Sequence, residues 1–168
     1  MKLYDMLDKE DWIELEKDIN SKYGLNASVF DAEGNRITDF KKWANELCPA
    51  IKSNEKGQKY ICSVAHQAIA SEAMRTRKSV VEECDAGMVK IAVPIYVKDE
   101  FLGVTGGCGV LKESGAIEDY LIHKTIDINI EDIEKLAKGI KTIKKDKINS
   151  VVKYIEDRID KIIDDFEN

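Results

Sequence analysis

The sequence predicts an α+β domain: an antiparallel sheet, helices gathered around it, and a long C-terminal helix. Three patterns carry that expectation. Val89, Ile91, Val93 and Ile95 alternate with Lys90, Ala92, Pro94 and Tyr96, which is the period-2 signature of a strand. A short Lys98-Asp99-Glu100 loop then returns the chain into Phe101–Thr105 as a hairpin partner. Trp12, Leu15, Ile19 and Tyr23 recur at helical spacing, and Ile148, Val152, Ile155, Ile159, Ile162 and Phe166 step as a heptad seam.

Each element has its own signal. Asp8 is placed to cap the first long helix, acidic Glu10 and Asp11 fill its first turn, and Gly24 stops it. Leu25, Ala27 and Val29 alternate as a half-buried strand, Asp31–Asn35 supplies turn chemistry, and Ile37 begins a return strand. Trp43 and Leu47 are expected to turn inward, and Pro49 suits the first turn of a helix. Gln58–Thr76 reads as one helix whose apolar face includes Ile61, Ala65 and Ile69, with Cys62 and His66 a turn apart. Ser79–Cys84 is a short strand ending in the Asp85-Ala86-Gly87 turn. Pro94 cannot donate to a ladder and belongs at an edge or a bulge. Ile133, Leu136, Ile140 and Ile143 form one helical stripe. The terminal seam packs either on its own domain or on a second copy. The expected division is a domain over residues 1–130 and a C-terminal helix over 131–168.

Composition narrows the function classes. At 168 residues the chain supports a hydrophobic core without cysteine staples. A net charge of −6 and a pI near 5.1 speak against a broad nucleic-acid surface. The basic run Lys138–Lys147 is interrupted and reads as a solvated face. The N-terminus carries no apolar leader and no stretch is long enough to cross a membrane, so a cytoplasmic location is expected. Thiols stay reduced there, which disfavours disulfides. Free, buried or metal-bound cysteines are the readings left.

Signature motifs of common enzymes are missing: no Gly-x-Ser-x-Gly, no Walker loop and no His-Glu-x-x-His. The glycines between Gly103 and Gly109 lack dinucleotide-binding spacing. His66 is geometrically able to act with Cys62, although a partly exposed helix histidine is the simpler reading; His123 lies far away. Cys48, Cys62, Cys84 and Cys108 contain no Cys-x-x-Cys knuckle. Singly, each is a small buried hydrophobe. Together, confined to residues 48–108, they are able to converge on one point as ligands of an iron–sulfur cluster or Zn²⁺. A thiol enzyme would instead need an accessible cysteine of depressed pKa.

Leu47-Cys48-Pro49-Ala50-Ile51, the later Cys62, Cys84-Asp85-Ala86-Gly87-Met88, Ala92-Val93-Pro94-Ile95 and Leu102-Gly103-x-x-x-Gly107 resemble the PocR-type sensory domain. Tyr23-Gly24-Leu25 and Phe30-Asp31-Ala32-Glu33-Gly34 resemble its opening helix and hairpin, so the likeness covers roughly residues 3–125. The resemblance implies a PAS-like sensing fold with a small-molecule pocket between sheet and helices. It also implies ligand-facing roles for Cys48, Cys62, Cys84, Gly87, Pro94 and Gly107. Asp85 stands where the family commonly has His, and Cys108 where it commonly has Gln. The first departure questions a neutral polyol as ligand, and the second adds a fourth thiol at a glycine-rich position.

The expected function is thus a cytoplasmic, non-enzymatic small-molecule or redox sensor. Its ligand would lie against Cys48, Cys62, Cys84, Gly87, Gly107 and Cys108, between the strands Met88–Val97 and Phe101–Leu111 and the Cys62 helix. The alternative is a four-cysteine iron–sulfur or zinc protein acting as a redox or gas sensor. Output is expected through the C-terminal helix, to a partner protein or within a homodimer.

Overall fold

A computed structural model describes the whole chain, Met1–Asn168. Helices α1 (Leu3–Met6) and α2 (Lys9–Tyr23) lead into strand β1 (Asn26–Asp31). Then α3 (Leu47–Ser53), α4 (Glu55–Gly57), a π-helical turn Gln58–Ser63 and α5 (Val64–Thr76) follow in close succession. Strands β2 (Val80–Glu83), β3 (Val89–Val97) and β4 (Glu100–Lys112) complete the main sheet. The chain ends with α6 (Asp119–Ile126), α7 (Ile130–Ala137), β5 (Thr142–Ile143) and α8 (Lys145–Glu167). The main strands pair antiparallel in the order β1-β4-β3-β2, and β5 runs parallel to the end of β4. The fold is α+β, as the sequence predicts.

Alternation along the strands gives the sheet two different faces. On one, Val89, Ile91, Val93 and Ile95 join Trp12, Leu15 and Ile19 of α2 in the largest core. Ile148, Val151, Ile155 and Ile159 of α8 close that same core. On the other face, Ala92 and Val104 meet Ile69 and Ala73 of α5. Beside that contact, Leu47 and Ile51 of α3, Ile61, Met88, Ile122 of α6 and Ile133 of α7 form a separate cluster. The gap between these two clusters holds the cavity described below.

A bulge in β4 sets which residues face that gap. Val89 pairs with Val110, yet the next residue, Lys90, pairs with Cys108, so Gly109 is the extra residue. Its φ of +99° is a left-handed conformation that glycine adopts without steric cost. Without the insertion Cys108 and Val110 would share a face. With it, Val110 enters the α2–α8 core while Cys108 turns towards α3 and α5. Asn26, Cys108 and Lys90 therefore form a cross-strand row over β1, β4 and β3.

Several expectations are corrected. The hairpin after β1 is only a turn with one bridge, Phe30 to Arg36. Asp31 Oδ1 accepts from the Glu33 and Asn35 amides, and the chain then leaves the sheet so that Arg36 and Thr38 reach buried Glu16. The stripe Ile133–Ile143 is not one helix, because α7 stops at Ala137, Gly139 takes a φ of +82°, and Ile143 lies in β5. Trp43 is 38% exposed instead of inward. Gln58–Thr76 is helical but opens with a wide π turn. Pro94 lies beyond Ala92, the last β3 residue paired to β2, with a register shift just after it at Ile95 and Tyr96, so it is an edge residue beside a bulge as expected.

Candidate ligand-binding site

A cavity of about 230 Å³ lies between the sheet and the α3–α5 run. Cys48, Cys62, Cys84 and Cys108 all line it. They arrive from four elements: α3, the π turn, the strand-to-turn junction before Met88, and β4. Ile51, Ile61, Ala86 and Met88 supply apolar wall, and exposed Trp43 and Glu33 stand at its outer side.

Local structure explains each thiol's position. Asn45 Oδ1 accepts from the Cys48 amide at 2.7 Å, capping the start of α3. The Asn45 amide group donates to the Gly109 carbonyl at 2.8 Å and approaches Cys48 Sγ at 3.3 Å. One side chain thus ties α3 to the β4 bulge. Cys62 sits in the π turn, whose wider spiral shifts the register of the helix entering α5. Cys84 closes a turn in which its amide donates to the Met88 carbonyl and its own carbonyl accepts from the Gly87 amide. Cys108 Sγ accepts a long contact from Asn26 Nδ2 at 3.9 Å.

Burial favours the protonated form of Cys48, Cys62 and Cys84. Burial pushes Cys48 up to about 12, with added repulsion from Cys108, Cys84 and Cys62. Burial also raises Cys62, against a lowering pull from Lys52, and raises Cys84 against backbone hydrogen bonds. That is the reverse of an activated cysteine nucleophile. No group of three or more His, Cys, Asp or Glu side chains stands in an arrangement that could hold a metal ion.

Two glycines of the expected site lie outside the cavity wall. Gly107 pairs with Ile91 and Ala27, on the α2–α8 face, where a Cβ would meet Leu25 at 2.8 Å. Gly87, at a φ of +91°, shapes the turn after Cys84, and a Cβ there would strike the Ala116 carbonyl at 2.5 Å. Gly109 is the glycine of the β4 end that does line the cavity. Pro94 lies away from it, and Asp85 is exposed in the turn.

Apart from His66, which the sequence offered as a partly exposed helix residue, sequence reasoning missed the polar part of the wall. Lys52, Lys90, His66 and Asn26 all line the cavity. The signal for Lys90 is a lysine on the strand face that otherwise carries Met88 and Ala92. His66 is 9% exposed, stacks on Phe30 with ring centroids 3.8 Å apart, and leaves Nε2 without a partner. Burial, with Lys90 and Lys52 nearby, draws its pKa down to about 4. Arg36 also reaches the wall, but its guanidinium is committed to Glu16 at 3.3 Å and to the Ala27 and Phe40 carbonyls.

No helix is long and apolar enough to cross a membrane. Comparison with the curated proteins and with the solved structures returns no match. Comparison with family models matches residues 5–165 to the sensory domain found in PocR. That span takes in the sheet, the cysteine-lined cavity and nearly all of α8, and the chain belongs to the PocR sensory-domain family.

Proposed function

We propose that the cavity is the ligand seat of a cytoplasmic, non-enzymatic small-molecule sensor. One observation carries the reading: a cavity of about 230 Å³ with apolar walls and a few convergent polar groups, on the face of β3 and β4 opposite α8. Its volume falls below the roughly 300–1,000 Å³ of drug-sized pockets, which suits a short metabolite. Occupancy would alter the seating of the sheet, and α8 would pass the change to a partner protein or a second copy. A ligand shifts that equilibrium only by its differential affinity for the two states.

The test is a thermal-shift survey of small metabolites on the full chain and on Cys108→Phe, which fills the cavity. Compounds that raise Tm in the parent but not in the variant are expected. A hit that stabilises both equally would place binding elsewhere and contradict the reading.

The gathering of four thiols on one cavity favours a second reading, an iron–sulfur or Zn²⁺ site acting as a redox or gas sensor. Its thiols would have to deprotonate and draw together on loading. Anaerobic purification with absorption spectra and metal analysis separates the two. Stoichiometric metal with visible colour or bound zinc supports the second reading; a colourless, metal-free protein of the same fold removes it.

A further inference from the structure

We propose that the cavity takes a small organic anion, with its charged head held by Lys52 and Lys90 and its carbon body against Ile51, Ile61 and Met88. The proposal rests on the cavity being the ligand seat. Lys52 comes from α3 and Lys90 from β3, and both are half-buried in the wall. Neither belongs to any of the ion pairs in the protein. Glu33, the one carboxylate at the wall, is exposed on the turn after β1. Arg36 is already balanced by Glu16, which is 0% exposed. The cavity thus faces two cationic groups with no buried anion to answer them.

Cys48, Cys62 and Cys84 do not fill that role, because burial holds their thiols above the ordinary range. Burial also lowers Lys52, and Lys52 and Lys90 both disfavour charge on His66. An unpaired ammonium withdrawn from water is costly, and a bound carboxylate supplies the missing partner. The buried, unpartnered Nε2 of His66 marks a second polar demand on the same wall. The volume suits a ligand of roughly ten heavy atoms or fewer, scaled from the cavity of about 150 Å³ that holds benzene.

The experiment is isothermal titration of the full chain, at fixed ionic strength, with acetate, propionate, butyrate and succinate. Each acid is paired with its amide, and inorganic sulfate is the anion without a carbon body. At least one acid is expected to bind tenfold or more tightly than its amide and than sulfate. Lys52→Met and Lys90→Met should each weaken that acid tenfold or more, with Tm no lower than the parent. The exposed Lys56→Met should change nothing, and Lys90→Arg should retain binding. Amides that match their acids, sulfate that matches them, no acid bound at millimolar concentration, or lysine variants without effect would each overturn the proposal. The ligand-seat reading fails separately, when stabilising compounds ignore Cys108→Phe.

Discussion

His66 is buried against Phe30 as a neutral ring, and that has a measurable cost in acid. Its pKa is lowered in the folded protein to about 4 from 6.5. Between those values the unfolded chain binds the proton and the folded chain does not, so stability falls as pH drops through that window. The loss is at most roughly 3 kcal/mol, from about 1.4 kcal/mol per pKa unit. His66→Gln should flatten the Tm-versus-pH curve over that range; an unchanged slope would place the titration elsewhere. Glu16 makes a second test at this scale. Burial raises its pKa although Thr38 and Arg36 pull it down, with Thr38 Oγ1 donating to it at 2.5 Å. Arg36→Met leaves that carboxylate buried beside a single hydroxyl donor, and a loss of about 3–5 kcal/mol in denaturant unfolding is expected. Cys108→Gln should keep ligand binding, since its sulfur has only the 3.9 Å contact from Asn26. The cysteines were legible as a set because they cluster in one stretch of sequence. Lys52 and Lys90 were not, since a lysine in an amphipathic pattern reads as solvent-facing until the opposing helix is known.

Among the elements, the β4 bulge decides the site. Gly109 lines the cavity and Gly107 does not, because one inserted residue changes which side chains share a face. No composition signal distinguishes those two glycines; only the register to β3 does. Gly109→Val would meet both the left-handed φ and Asn26 Nδ2 at 2.5 Å from the added Cβ. A destabilisation above about 1 kcal/mol is expected, together with weaker ligand binding. A variant of parental stability would show that the bulge is not needed to aim Cys108. The π turn was equally hidden, since its residues have ordinary helical spacing. By contrast α2, β3 and α8 were legible because their apolar periods are long and uninterrupted.

For the molecule as a whole, the sheet is a wall shared by two interiors. The heptad seam of α8 turns its Ile148, Ile155 and Ile159 into the chain's own core, beside Trp12 and Ile91. Ile155→Ala should therefore cost about 2–5 kcal/mol, and truncation after Lys147 should abolish the cooperative melt. Further along the stripe, Ile162 and Ile163 are half-buried at the edge of that core and Phe166 is exposed. Pairing of Ile162→Glu with Phe166→Glu should give a monomer by light scattering if the protein dimerises there; an unchanged dimer would refute that contact. The most direct measurement of the cavity as ligand seat is amide and side-chain chemical-shift mapping during titration with a compound that raises Tm. Perturbations are expected at Cys48, Cys62, Cys84, Cys108 and Lys90, with smaller ones relayed to α8 through β3 and β4. Perturbations confined to another surface, with these residues unmoved, would contradict it.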